Sequence, residues 1–153
     1  MKVARTLTPK DINALLDLSY KAVFERGLVG TDFNKQNFNF QVKNLLISAE
    51  FKSFGLFVGH TLMGFAIINC FSLPWSMTKK CLIYLLHLDP HNRTLENYQI
   101  LLDTVTEFCA ERNVHHIVTC GEAYLLDEHN KHNFFIQNNF TQQDTVWEKQ
   151  NDS

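Results

Sequence analysis

Cys81-Leu82-Ile83-Tyr84-Leu85-Leu86-His87-Leu88 runs directly into Asp89-Pro90-His91-Asn92-Arg93, and this junction decides the fold. The run is apolar at alternate positions of both phases, so a strand made from it buries both faces and needs helices on either side. Asp89-Pro90 stops it, because proline lacks the N–H that would continue a ladder. A doubly covered strand of this kind takes a central place in a sheet of the α/β class.

Upstream, Phe54 to Val58 and Met63 to Phe71 read as two apolar strands around the tight turn Gly59-His60-Thr61-Leu62. Leu73-Pro74-Trp75-Ser76 separates that hairpin from the strand that begins at Lys79. Near the start, residues 3–7 form a short β-like piece. Thr8-Pro9-Lys10-Asp11 then opens a helix, with Thr as N-cap, Pro at the first helical position and Asp placed to reach back to the cap. Ile12, Leu15, Leu16, Ser19 and Val23 form the expected buried stripe, and Gly27 supplies a left-handed terminus. The second half of residues 31–50 reads as another helix.

Downstream, Tyr98, Leu101, Leu102, Val105, Phe108 and Cys109 share one helical stripe that ends near Arg112-Asn113. Val114 to Cys120 reads as a strand closed by Gly121. Asp127 to Asn138 reads as a helix with Asn139 as its left-handed terminator, and Thr145-Val146-Trp147 as a last strand. The expected order is β-α-(α)-β-β-β-α-β-α-β, with one domain over residues 1–148 and a polar tail over 149–153.

Composition narrows the function. The chain has 153 residues, of which 45% are hydrophobic and 20% charged, and a net charge of −2. That suits one globular domain and excludes a disordered chain. No basic run exceeds Lys79-Lys80, so no nucleic-acid partner is expected. Apolar stretches such as Leu62 to Phe71 fall short of the ~20 residues of a membrane span. Met1-Lys2-Val3-Ala4-Arg5 is not followed by the apolar core of a secretory signal, so a cytoplasmic location is expected. The cysteines Cys70, Cys81, Cys109 and Cys120 lack CxxC spacing and read as small buried hydrophobes, with no metal site expected. None of the six glycines falls between residues 65 and 120.

With these landmarks, the order resembles the GNAT superfamily, the Gcn5-related N-acetyltransferases. Leu7-Thr8-Pro9-Lys10-Asp11 resembles the family's first strand-to-helix junction. Leu56-Phe57-Val58-Gly59-His60-Thr61-Leu62-Met63-Gly64-Phe65-Ala66 resembles its central hairpin. Leu86 to Arg93 resembles the strand end leading into the acyl-CoA loop. Phe134-Phe135-Ile136-Gln137-Asn138-Asn139-Phe140 resembles the closing helix, with Asn139 standing for the usual Gly. The resemblance implies a single GNAT-like domain: a central mixed, mostly antiparallel twisted sheet flanked by helices.

It also implies acetyl-CoA or another acyl-CoA as cofactor, held by the loop backbone of Leu88, Arg93, Thr94, Leu95, Glu96, Asn97 and Tyr98. The family's loop reads Arg or Gln, two residues, Gly, one residue, then Gly or Ala, so that backbone amides can close around a pyrophosphate. Arg93 matches the first position, whereas Glu96 and Tyr98 replace the small residues. Phe135 stands where the family commonly places a tyrosine to protonate the departing thiolate. Tyr124 and Tyr84 are the candidate substitutes. His87, near the end of the strand, is the candidate base, set against a reading as a hydrogen-bonded sheet histidine.

Other candidates are weaker. His115-His116 point to opposite faces of a strand, and His129 with His132 sit on a polar helix face where solvation is the simpler reading. Phe33, Phe38 and Phe40 lie in the region that forms the acceptor-side wall in GNAT folds, and Trp75 beside Pro74 is a candidate contact anchor.

Two functions follow. One is an acyl-CoA-dependent N-acyltransferase that moves an acetyl group to an amine of a small molecule or protein. The other, suggested by Glu96, Tyr98 and Phe135, is a catalytically silent GNAT-fold binding or structural module with a protein partner. Such a module would suit a virus-encoded protein of host cytoplasm or virion. A homo-oligomer is compatible with either.

Overall fold

The structure is a computed structural model and describes residues 1–25, 27, 30, 32–119 and 128–141. A five-stranded sheet in the order β1-β2-β3-β4-β5 carries the fold. Its strands are β1 (Lys2–Thr6), β2 (Phe51–Val58), β3 (Thr61–Ser72), β4 (Lys79–Leu88) and β5 (His116–Thr119). The first four pair antiparallel, and β4 pairs parallel with β5. The helices are α1 (Ile12–Glu25), α2 (Lys35–Ile47), α3 (Leu95–Glu111) and α4 (Glu128–Gln137). This is the expected mixed, mostly antiparallel sheet flanked by helices.

The two faces of the sheet carry separate cores. Leu15, Leu18, Ala22 and Val42 of α1 and α2 pack on Phe57, Phe65 and Ile67. On the other face, Tyr98, Leu101, Leu102 and Val105 of α3, with Phe134 of α4, cover Leu56, Ile68, Ile83 and Leu88. The stripe expected on α3 is the one observed. On α1 the buried line is rotated: Leu18 and Ala22 join Leu15 and Ser19, while Leu16 and Val23 are only half-buried.

Turn chemistry sets the boundaries. The hairpin closes through Gly59-His60, with Gly59 at φ +63° and Val58 opposite Thr61, so both strands run further than their apolar cores suggest. A 3-10 turn over Pro9–Asp11 leads into α1, and Gly27 (φ +68°) ends it. Two other helices end on asparagine. Asn113 (φ 57°) follows α3, where the Val114 N–H donates to Cys109 O at 2.8 Å. Asn139 (φ 66°) follows α4, where the Phe140 N–H donates to Phe135 O at 2.9 Å. Both are six-to-one helix closures that commonly use glycine, so asparagine in that role helps keep the glycine count low. The expected strand at 145–147, the tail at 149–153 and Gly121 lie outside the described residues.

Candidate active site

The site grows from the second half of β4. The strand pairs with β5 from Lys80 to Ile83, opposite His116 to Thr119. From Tyr84 to Leu88 it has β3 on one side, and no strand among the described residues on the other. The β3 register slips by one residue here, Ile67 facing Leu85 and Ile68 facing Ile83, so Tyr84 forms a bulge. Bulges re-aim side chains and interrupt pairing. Tyr84 is accordingly 48% exposed, its ring 5.3 Å from that of Phe51.

His87 and Leu88 complete the strand. His87 lies opposite Phe65, their rings 5.6 Å apart, and is 1% exposed. Phe65 belongs to the core under α1 and α2, so His87 projects to that face, while Leu88 projects to the α3 face. Gly64 is opposite Leu88, and an added Cβ there would strike the Leu88 side chain and come within 2.8 Å of His87 O. Only glycine lets β3 pass this closely.

The loop after β4 is knit to itself. The Asp89 N–H donates to Met63 O at 2.7 Å, and the Asp89 carboxylate accepts from the His91 N–H at 3.3 Å. The Asn97 side-chain amide donates to Asn92 O at 2.8 Å. Thr94 caps α3, its hydroxyl accepting from the Asn97 N–H at 3.2 Å. The helix therefore begins on the amides of Leu95 and Glu96, an intrinsic anion-attracting end.

Arg93 is held twice within the protein. Its Nε donates to Leu88 O at 3.0 Å, and its two terminal nitrogens donate to the Glu25 carboxylate at 2.6 and 2.5 Å. Glu25 ends α1, where the helix dipole disfavours a carboxylate unless a cation is at hand. An acid in that unfavourable position is the one signal that could have flagged it in the sequence. Glu96 turns outward towards Lys2 (3.5 Å), and Tyr98 is fully buried with its ring 6.2 Å from that of Phe134. Neither side chain fills the start of α3.

His87, Leu88, Arg93 and Thr94 to Tyr98 thus share one corner of the molecule. Tyr124 lies outside the described residues. Phe135 packs between Phe134 and Phe140, ring centroids 5.5 and 5.3 Å away. Phe33 and Phe38 form an aromatic cluster with Tyr20, their rings 5.7 Å apart, whereas Phe40 is exposed. Trp75 is 81% exposed. His115, His116, His129 and His132 are surface residues. Spacing gave no sign that Cys70, Cys81 and Cys109 meet, yet their sulfur atoms all lie within 4.8 Å of one another. Among the described residues, no helix is long and apolar enough to cross a membrane.

No protein-family model and no curated protein matches the chain by sequence. Solved structures do match its fold. A predicted acetyltransferase from Clostridium acetobutylicum, crystallised with acetyl-CoA, superposes with a TM-score of 0.76 at 17% identity, covering 98% of this chain and 96% of the other. A ribosomal-protein-alanine N-acetyltransferase from Brucella melitensis biovar Abortus 2308 gives 0.75 at 13% identity, covering 99% and 100%. An aminoglycoside acetyltransferase from an uncultured soil metagenomic sample, in complex with sisomicin, gives 0.72 at 14%, covering 99% and 97%. The described residues share the fold of these acetyltransferases, a GNAT-like fold.

Proposed function

We propose that the chain is an acyl-CoA-dependent N-acyltransferase that transfers an acetyl group to an amine of a small molecule or protein in the cytoplasm. The observation that carries this reading is the edge of β4 from Tyr84 to Leu88, which leads straight into the N-terminus of α3. Alternate main-chain N–H groups of such an edge face away from β3, where no strand among the described residues pairs with them, and would serve a ligand. The start of α3 offers further donors to a phosphate, and the directions taken by Glu96 and Tyr98 leave it accessible. The residues present therefore fit an acyl-CoA.

An acyl-CoA supplies an activated thioester carbonyl. The N–H groups around Leu88 would polarise that carbonyl, and the loop from Arg93 to Tyr98 would hold the phosphates. His87, on the α1–α2 face, would take the proton from the incoming amine. With Phe135 unable to donate, the exposed Tyr84 hydroxyl is the described group best placed to return a proton to the leaving sulfur. Tyr124 remains the other proposed donor. Support for an amine acceptor comes from the fold neighbours, among them enzymes acting on aminoglycosides and on a ribosomal-protein alanine.

The second reading is a GNAT-fold binding or structural protein, the form a virus-encoded member would take, acting through a protein partner or a second copy. The engagement of Arg93 by Glu25 favours it, because that cation is already neutralised. Calorimetric titration with acetyl-CoA separates the two. The acyltransferase requires a dissociation constant of about 100 μM or tighter, with thiol release on adding an amine such as sisomicin. Absence of binding at millimolar acetyl-CoA rejects it in favour of the second reading.

A further inference from the structure

Three cysteines converge at the end of β4 remote from His87. Cys70 and Cys81 are direct cross-strand partners on β3 and β4, and Cys109 reaches them from the last turns of α3. Their three Sγ atoms lie within 4.8 Å of one another. Cys81 and Cys109 are 0% and 1% exposed. Cys70 is half-buried and lines a cavity of about 410 Å³ whose walls include Glu50, Lys52, Lys79 and Arg112.

We propose that Cys70, Cys81 and Cys109 form a three-thiolate site for a soft, thiophilic metal ion, entered from the cavity past Cys70. An ion about 2.3 Å from each sulfur would draw the sulfurs to about 4 Å apart, a small side-chain adjustment from the observed cluster. The trio contains no oxygen or imidazole donor. It is therefore suited to ions such as Cd(II), Cu(I) or Zn(II), and not to Mg(II) or Ca(II). Burial pushes the Cys81 and Cys109 thiols up, and the neighbouring Cys109 sulfur pushes Cys81 further. A divalent ion entering forms three metal–sulfur bonds in place of three S–H bonds and releases three protons. The site then gains one net negative charge, which Lys52, Lys79 and Arg112 at the cavity offset, with Glu50 opposing them. This role is independent of acyl transfer.

The test is titration of the reduced full-length protein with Cd(II), read by ultraviolet sulfur-to-metal charge transfer and by proton release. The expected result is one ion per chain with three protons released, and affinity that rises steeply with pH. Cys70→Ser, at a half-buried position, should weaken binding at least about a hundredfold, and Cys109→Ala likewise. Cd(II) should raise the melting temperature of the parent protein but not of either variant. Failure to saturate at one ion per chain overturns the proposal, as does binding that both substitutions leave unchanged.

Discussion

The guanidinium of Arg93 holds the carboxylate of Glu25 in a two-pronged ion pair at 2.6 and 2.5 Å, joining the loop after β4 to the last residue of α1. Both partners are largely shielded, with 14% and 30% of their side chains exposed. Arg93 also holds Leu88 O, so the pair positions the strand end where the acyl group is proposed to sit. Within the acyltransferase reading, Glu25 competes with the phosphates for this cation.

Glu25→Gln should therefore tighten acetyl-CoA binding by about three- to tenfold, while lowering stability by about 1–2 kcal/mol. Arg93→Ala should instead weaken binding and lower stability, since it releases Leu88 O as well. Calorimetry and urea unfolding on the two variants check both directions. Equal weakening by both substitutions would mean that the pair acts only as a structural clasp.

A second ion pair governs the acid response. Asp11 accepts from both Arg5 terminal nitrogens, at 2.9 and 3.0 Å, and from the Thr8 N–H at 2.8 Å. The Arg5 hydrogen bonds, above all, lower the Asp11 carboxyl to about 2. A carboxylate whose pKa is lower folded than unfolded stabilises above its unfolded value, near 4, and loses that contribution as the pH falls towards about 2. Arg5 is 45% exposed, so solvent screening reduces the effect to about 1 kcal/mol. Asp11→Asn should cost that much near neutrality, and the difference from the parent should shrink below about pH 4 and vanish only below about pH 2. A pH series of urea unfolding curves measures it.

The features legible in the sequence were the local ones. Thr8-Pro9 marked the first helix because proline and its cap act within one turn. Gly59 marked the hairpin because only a few residues tolerate its positive φ. The α3 stripe from Tyr98 to Cys109 was readable because a long helix repeats its pattern over many turns. The pairing of Arg93 with Glu25 and the meeting of Cys70, Cys81 and Cys109 depend on which helix lies over which strand, and no local spacing encodes that. Tyr84 was legible as a candidate acid, but its bulge was hidden for a related reason: a bulge is a mismatch between two strands and leaves no mark in either alone. Tyr98 shows the converse. By position it crowds the phosphate loop, but helical phase turns it into the core beside Phe134.

Gly64 is the tightest point between β3 and the site. A methyl group there would meet the Leu88 side chain and His87 O at 2.8 Å, and the backbone oxygen cannot rotate away as a side chain can. Gly64→Ala should cost about 2–4 kcal/mol and reduce acyl transfer, because relief of the clash displaces His87 and Leu88. Gly59→Ala is the comparison. It has open space around it but a φ of +63°, so it should cost only about 1 kcal/mol and leave turnover per folded molecule unchanged. Unfolding curves combined with initial rates separate a strained turn from a displaced site.

His87 and Tyr84 divide the proposed proton transfers along the β4 edge, His87 against Phe65 and Tyr84 against Phe51. His87→Gln should lower kcat by about 10²–10³-fold, with acetyl-CoA affinity retained and the acid limb of the pH–rate profile removed. Tyr84→Phe keeps the ring against Phe51 and deletes only the hydroxyl, so it should leave KM unchanged and lower kcat by about tenfold. That loss should shrink with an acyl donor whose thiol is a better leaving group, since such a sulfur needs less help from an acid. A His87→Gln variant that folds normally and retains full kcat would assign His87 a structural role, leaving solvent water as the base. Full activity in Tyr84→Phe would in turn move the acid role to Tyr124.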